Sequence, residues 1–169
     1  MKLELVHSSV VYAKCDAIVN AANDRLQGGS GVCGAIFNAA GWNELQAECN
    51  AIGGCKTGHA VMTNGYKLKA KHIIHAVGPS DGNEEKLRRA FYNTLVIADS
   101  NNFKTVGLVP ISTGIYGFPL RKCAEIAIKV VDEFKPKSLE KCYMYCYEDA
   151  EYQTFEDVLS QYIENKNKK

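Results

Sequence analysis

The chain has 169 residues, a length that suits one domain with a single hydrophobic core. Hydrophobic residues make up 46% of it and charged residues 23%, a balance typical of soluble globular proteins. The formal net charge of +1 excludes a general electrostatic attraction to nucleic acid or to an acidic membrane surface. No apolar run approaches the roughly 20 residues of a membrane span, and nothing at the N-terminus resembles a signal peptide. We therefore expect a cytoplasmic protein that forms one domain over residues 1–169, with residues 165–169 as a frayed basic tail.

The seven cysteines are an odd number at irregular spacings, and most of them lie in apolar segments. This pattern is typical of reduced, mostly buried thiols rather than of a disulfide framework. A zinc site formed by Cys49, Cys55 and His59 is an open alternative, although their spacing fits no common zinc motif. We expect no metal and no cofactor.

Short β-rich segments alternate with amphipathic helical segments along the chain. The predicted strands lie at residues 3–12, 15–22, 59–66, 72–79, 105–113 and 142–147. The predicted helices lie at residues 34–52, with a break near Gly41, and at residues 83–101, 120–135 and 150–165. This alternation predicts an α/β domain whose mostly parallel central sheet is covered on both faces. In such a sheet, ligands bind at the carboxyl ends of the strands.

A glycine-rich loop follows the strand predicted at residues 15–22, with Gly28, Gly29, Gly31 and Gly34 in seven positions. Glycines at this density lower stability, so we interpret the loop as backbone that a ligand approaches closely. The segment "GSGVCG" matches the dinucleotide pattern G-x-G-x-x-G. It begins too far from the strand, however, and no acidic residue follows about 20 residues later, so we reject a Rossmann site. Amide N–H groups at the start of the next helix still suit a diphosphate. A flexible turn is the alternative.

A second loop, "ISTGIYGFP" at residues 111–119, follows another predicted strand and has a similar composition. Its hydroxyl and backbone N–H groups could close on a diphosphate from the opposite side. Tyr116, which lies between two glycines, is placed to cover a sugar or a base. Packing of this ring at the edge of the sheet is the alternative.

Polar side chains near these loops are further candidates. The amides of Asn20 and Asn23 match the hydroxyl pair of a ribose, with turn formation as the alternative. We interpret His75 as a structural histidine rather than a catalytic one. Cys33 at a helix N-terminus could have a lowered pKa and act as a nucleophile. The sequence fixes no base beside it, so this role is an alternative.

Four motifs in this order, "DAIVNAAN", "GGSGVCGAIFNAAG", "HAVGP" and "ISTGIYGFP", resemble a macro domain. The resemblance spans nearly the whole chain and is nearest to the MacroD-type branch, with some likeness to viral macro domains. It implies a three-layer α/β/α sandwich with a mostly parallel, mixed central sheet. It also implies that the ligand is ADP-ribose. Many members remove mono-ADP-ribose from proteins or hydrolyse small esters such as O-acetyl-ADP-ribose.

The resemblance assigns roles to the residues already identified. Asn23 orients the distal ribose and forms the candidate catalytic set with Cys33 and Tyr116. Val10 lines the adenine pocket, and Tyr147 lies against adenine. The candidate ligand-binding residues are Ser9, Val10, Ala22, Asn23, Gly29, Ser30, Gly31, Val32, Ser112, Thr113, Gly114, Ile115, Tyr116 and Tyr147.

Two positions depart from the pattern of the family. Ser9 stands where the family usually has an Asp that accepts a hydrogen bond from the adenine amino group, and a neutral hydroxyl discriminates less. Cys33 replaces an Asp that helps to activate the attacking water, and a thiol is a poor general base unless its pKa is tuned. Some viral relatives nevertheless hydrolyse without an acid there.

The resulting expectation is an ADP-ribosyl hydrolase. A non-catalytic reader or sensor of ADP-ribose, or of a related nucleotide, is the alternative. The expected partners are ADP-ribose or an ADP-ribosylated protein. We expect neither a membrane nor a nucleic acid as a partner, and we expect a monomer.

Overall fold

A computed structural model describes residues 1–168 and confirms the predicted α/β fold. Six strands form one sheet in the order β1-β6-β5-β2-β4-β3. Neighbouring strands run parallel except at one edge, where β3 is antiparallel to β4. The strands are β1 (Lys2–Val6), β2 (Ala17–Ala22), β3 (Ala60–Asn64), β4 (His72–Val77), β5 (Thr105–Leu108) and β6 (Lys141–Tyr145).

Five helices cover the sheet: α1 (Gly31–Ala40), α2 (Trp42–Ile52), α3 (Glu84–Ser100), α4 (Leu120–Glu133) and α5 (Asp149–Asn167). Helices α1 and α2 pack on each other and on β2 and β3, whereas α4 packs between α3 and α5. The result is the expected three-layer sandwich. Within residues 1–168, none of these helices combines the length and the apolar character that a bilayer crossing requires.

The neighbouring strands β2 and β4 are buried along nearly their whole length. Continuous apolar burial of this kind is typical of parallel strands that are covered on both faces. Ile18, Ile73 and Ile74 are fully buried there, and the Phe37 ring of α1 lies edge-on to the His75 ring of β4, with the ring centroids 6.4 Å apart. The loops that follow β2 and β4 therefore start from buried strands.

A chain of polar side chains crosses this core. Asn20 of β2 pairs in register with His75 of β4, and its Nδ2 donates to His75 Nδ1 at 3.0 Å. His75 Nε2–H then donates to Thr63 Oγ1 of β3 at 2.9 Å, and the Thr63 hydroxyl donates to the Asn64 carbonyl. Burial lowers the pKa of His75 to about 4, so the ring is neutral. These contacts agree with the interpretation of His75 as a structural histidine.

The prediction of one strand over residues 3–12 is wrong beyond the end of β1. The chain turns there into a short 3₁₀ helix at Val10–Tyr12. The Ser9 hydroxyl accepts the Val11 N–H at 3.4 Å and caps this turn. A hydroxyl that competes for backbone N–H groups in this way favours turns over strands.

Other boundaries also differ from the predictions. The strand predicted at residues 105–113 ends at Leu108, shortly before Pro110, which has no N–H to extend a ladder. Helix α5 extends to Asn167 and so includes residues 165–167 of the expected tail; the fraying of this end stays a prediction. Lys169 lies outside the described residues.

All seven cysteines are free thiols, and all except Cys55 are buried, as predicted. In the part of the chain that the structure describes, no three His, Cys, Asp or Glu side chains lie close enough together to hold a metal ion. The structure therefore gives the alternative zinc site no support.

The neutral state of His75 predicts a pH-dependent stability. The pKa of His75 is about 4 in the folded chain and 6.5 in the unfolded chain, so the unfolded chain binds more protons between these values. The stabilisation is fully present above pH 6.5 and is lost as the pH falls towards 4, by at most about 3 kcal/mol. Urea unfolding at about pH 7.5 and about pH 4.5 should therefore show a larger loss for the wild type than for His75→Gln. Equal losses would contradict this. If the variant does not fold, the pKa of His75 can be measured in the wild type by NMR titration. A value near 6.5 would contradict the prediction.

Candidate ligand-binding cleft and active site

A cleft of about 340 Å³ opens at the carboxyl ends of the central strands. Its volume falls within the range of about 300 to 1,000 Å³ that is usual for small-molecule sites. The lining comes from the residues after β2, β4 and β5, from both glycine loops and from the region where α5 begins. It consists of Ala21, Ala22, Asn23, Gly29, Ser30, Gly31, Val32, Cys33, Gly78, Pro110, Ile111, Ser112, Thr113, Gly114, Ile115, Tyr116, Glu148 and Glu151.

The cleft brings together all the candidate site residues except Ser9, Val10, Asn20 and Tyr147. Ser9 and Val10 belong to the 3₁₀ turn, where Val10 is buried. Tyr147 is 70% exposed and lies next to a lining residue in sequence. The sequence analysis did not select Glu148 and Glu151, although the strand-end rule applied to β6 would have found Glu148.

The first loop presents an uncapped helix N-terminus to the cleft. Ser30 is the N-cap residue of α1, but its side chain makes no capping bond, and the first turn contains no acidic residue. Gly31 and Val32, the first two residues of α1, both line the cleft. Leading N–H groups of a helix lack partners within the helix, and the helix dipole adds a partial positive charge. This end of α1 therefore suits an anion.

The second loop closes the opposite side of the cleft with a strained backbone. Ser112 has φ +68, a conformation uncommon for a residue other than glycine. Its hydroxyl is buried and has no hydrogen-bond partner in the described chain, while its carbonyl accepts the Phe118 N–H at 2.9 Å. Tyr116 and Ile115 stand at the mouth, with Ile115 87% exposed. Strain together with an unpaired buried group is a feature of functional sites.

The Asn23 amide forms a turn at the floor of the first loop. Its Nδ2 donates to the Gln27 carbonyl at 2.8 Å, and its Oδ1 accepts the Gln27 N–H at 3.0 Å. An amide nitrogen carries two hydrogens, so one N–H remains for the cleft. The prediction that Asn20 binds ribose is wrong, because its amide is buried between β2 and β4 and does not line the cleft.

The Cys33 thiol points away from solvent. Its Sγ lies 3.7 Å from the Gln27 carbonyl, to which it donates, and 3.7 Å from Asn20 Nδ2. Burial raises the pKa of Cys33 and outweighs the opposing hydrogen bonds from Asn20 and from the Gly29 backbone. The hypothesis of a lowered pKa is therefore wrong, and the thiol is protonated near neutral pH. A nucleophilic role for Cys33 loses its physical basis.

The charges of the cleft lie at one end. Its described lining includes no lysine or arginine, and its charged members are Glu148 and Glu151. Glu151 accepts the Glu148 N–H at 3.0 Å, which fixes one of the two carboxylates. Both follow β6, whereas Asn23 follows β2, and β5 separates these strands. The acidic end and the Asn23 end are thus opposite ends of the cleft.

The comparison with protein families agrees with this geometry. The family model described as Macro domain matches residues 19–127. This chain belongs to the macro domain family. An O-acetyl-ADP-ribose deacetylase of Salmonella newport is 41% identical over 171 residues, which cover 95% of each chain. A macro domain-containing protein of Caldanaerobacter subterraneus is 42% identical over 163 residues, covering 91% of this chain and 93% of that one.

Solved macrodomains have the same fold. The Oceanobacillus iheyensis macrodomain with ADP superposes with a TM-score of 0.92 at 31% identity, covering 96% of this macro domain and 92% of that chain. The Trypanosoma brucei macrodomain in complex with ADP-ribose superposes with a TM-score of 0.87 at 37% identity. There the match covers 93% of this chain and 68% of the other. The three-layer fold expected from the motifs is confirmed.

A second groove of this macro domain, about 480 Å³, lies between α3 and α4. Glutamate, lysine and arginine side chains such as Glu85, Arg88 and Lys129 alternate along it. It is lined by residues of these two helices and by Phe134, not by the loops at the carboxyl ends of the strands, where ligands bind in this class of sheet. The strand-end cleft is therefore the candidate site.

The close packing of the first loop on α1 predicts different effects on stability for alanine substitutions at two glycines. A Cβ at Gly34 would lie 2.4 Å from the Gly29 carbonyl oxygen, so Gly34→Ala must displace backbone and should cost about 1 to 3 kcal/mol. Inside a helix, the same substitution normally stabilises by about 0.5 to 1 kcal/mol. A Cβ at Gly29 meets nothing within 4 Å, so Gly29→Ala should change the free energy of unfolding by less than about 0.5 kcal/mol. Urea unfolding measures both, and equal stabilities of the two variants would contradict the packing.

Proposed function

We propose that this macro domain binds ADP-ribose in the strand-end cleft and hydrolyses ADP-ribose esters. The substrate classes are O-acetyl-ADP-ribose and mono-ADP-ribose attached to protein carboxylates. The observation that carries the proposal is the uncapped N-terminus of α1, which faces the second loop across a cleft without cationic side chains. The relatives named O-acetyl-ADP-ribose deacetylase, about 40% identical over nearly the whole chain, support the same reaction class.

The order of the strands gives the direction of the ligand. We place the diphosphate between the first loop, at Gly29–Val32, and the second loop, at Ser112–Tyr116. The distal ribose then lies at the β2 end beside Asn23, and the adenosine lies towards β6 and Tyr147. The 3₁₀ turn with Ser9 and Val10 lies beyond the lined part of the cleft. Contact of these two residues with adenine stays a prediction.

The residues of the cleft act by stabilising the charge of the diphosphate and by fixing the position of the distal ribose. Backbone N–H groups of both loops donate hydrogen bonds that stabilise the charge of the diphosphate, and they are fixed before the ligand arrives. The free N–H of Asn23 donates to a hydroxyl oxygen of the distal ribose, since its other bonds to Gln27 set its direction. Tyr116 covers the sugar from the mouth. Precise positioning of this kind accounts for a large part of catalysis in a dry site.

For a linkage at C1″, we infer that water attacks that carbon. A bond forms between the water oxygen and C1″, the C1″–O bond to the acyl group breaks, and the carboxylate leaves. The proton of the water passes to a diphosphate oxygen of the substrate. The substrate supplies this base because the Cys33 thiol is protonated and cannot accept a proton.

A non-catalytic reader is the second candidate, and one observation favours it. At the Asn23 end, the described lining of the cleft offers no carboxylate to act as general base, since Glu148 and Glu151 lie at the other end. A reader would bind ADP-ribose with the same loops and release it unchanged. Turnover separates the two candidates.

The protein partner, the oligomeric state and the cellular location are proposed from the sequence. An ADP-ribosylated protein would meet the mouth of the cleft at Ile115, which is largely exposed. The monomeric state and the cytoplasmic location stay predictions.

The first prediction for this function concerns turnover. The protein should bind ADP-ribose with a Kd of about 1 to 100 μM by calorimetry and should release acetate from O-acetyl-ADP-ribose. Asn23→Ala should lower kcat about 100-fold, because the ribose loses its orienting donor. Asn23→Asp is the matched control for the turn: it retains the acceptor for the Gln27 N–H but lacks the donor, so it should lose turnover as well. Binding without turnover of either substrate class would favour the reader, and full turnover by Asn23→Ala would exclude the mechanism.

The second prediction separates a ligand-binding backbone from a flexible turn. A Cβ at Gly29 or Gly114 meets nothing within 4 Å in the protein, so Gly29→Ala and Gly114→Ala should fold normally. Each added methyl group enters the space of the diphosphate and should weaken ADP-ribose binding about tenfold, measured by calorimetry. Unchanged affinity in both variants would assign the glycines to the turns alone.

A further inference from the structure

The first loop is bound to α2 by a side chain that does not line the cleft. Gln46 of α2 accepts the Gly28 N–H with Oε1 at 2.8 Å, and its Nε2 donates to the Leu26 carbonyl at 3.0 Å. These bonds hold the residues on either side of Gln27. One side chain thus fixes a stretch of three backbone residues.

The peptide groups of Gln27 in turn hold both candidate catalytic side chains at the floor of the cleft. The Gln27 carbonyl accepts from Asn23 Nδ2 at 2.8 Å and from Cys33 Sγ at 3.7 Å. Its N–H donates to Asn23 Oδ1 at 3.0 Å. The direction of the Asn23 amide therefore depends on where Gln46 holds the loop.

A second side chain of α2 packs on the same stretch. A Cβ at Gly28 would lie 2.0 Å from Trp42 Cζ3, so the Trp42 ring lies directly on the Gly28 backbone. Trp42 is the only tryptophan of the chain. Gly29 and Gly31 behave differently, since a Cβ on either would meet nothing within 4 Å. The loop is thus held at Gly28 and open from Gly29 onward.

We propose that Gln46 is a positioning residue that sets the orientation of the Asn23 amide, an inference that rests on the proposed function. The backbone N–H groups that we place against the diphosphate lie at Gly29–Val32 and in the second loop, outside the stretch from Leu26 to Gly28 that Gln46 holds. Loss of Gln46 therefore affects turnover more than ligand binding.

The experiment compares three variants. Gln46→Leu introduces a side chain of similar size that makes neither of the two hydrogen bonds to the loop. Gln46→Glu retains an acceptor for the Gly28 N–H. Asn50→Ala is the matched control, because Asn50 Oδ1 accepts only from the side chains of Gln46 and Gln27 in the described chain. We expect Gln46→Leu to lower kcat about tenfold or more while the Kd for ADP-ribose stays within about threefold. Gln46→Glu should fall between the wild type and Gln46→Leu, and Asn50→Ala should match the wild type. An unchanged kcat, or an equal change in kcat and affinity, would overturn the proposal.

A measurement on the free protein separates failure of this inference from failure of the proposed function. The Asn23 side-chain amide should give distinct, slowly exchanging NMR signals in the wild type and in Asn50→Ala. Gln46→Leu should shift these signals and speed their exchange, and the Trp42 fluorescence should change with them. Unchanged signals would overturn the role of Gln46 even if the wild type turns over substrate. Changed signals in a protein without turnover would uphold the positioning and reject the hydrolase. If Gln46→Leu does not fold, Gln46→Glu provides the same comparison.

Discussion

The parallel pairing of β2 with β4 is the constraint on which the rest of this macro domain depends. Its register places Asn20 beside His75, so that Asn20 Nδ2 and His75 Nδ1 pair with each other in a dry core. A slip of one residue would turn each side chain to the opposite face of the sheet and leave both unpaired. The same register brings Asn23 and Gly78, the first residues after the two strands, to one edge. The register of β2 with β4 thus determines both the polar contacts in the core and the residues at the floor of the cleft.

This geometry explains how the chain can hold a charged ligand with a net charge of only +1. The described lining of the cleft offers backbone N–H groups instead of cationic side chains, and the sheet fixes their directions. A fixed dipole needs no reorganisation when the ligand arrives. The cost is conformational entropy. The backbone can lie so close to a ligand only at residues without a side chain, such as Gly29, and glycine loses more conformational freedom on folding than other residues do.

At Asn23, turn formation does not exclude the ribose contact that we propose for its amide. Its amide closes the turn through two bonds to Gln27 and retains one N–H for the cleft. The structural bonds give the remaining donor its direction, and Gln46 extends the same support from α2. The Cys33 thiol donates to the same Gln27 carbonyl. Its burial raises its pKa, so the thiol is protonated near neutral pH.

The sequence by itself determined the strand and helix order, the break at Gly41 and the two loops at strand ends, because periodicity and glycine act locally. Only the tertiary structure decided that Asn20 is buried while Asn23, three residues later, lines the cleft. It also decided the pKa of Cys33, because burial by distant segments outweighs the local helix end. The bonds of Gln46 join residues 18 and 20 positions apart, which no local pattern encodes. Such properties depend on which parts of the chain pack together, and that is settled by the fold as a whole.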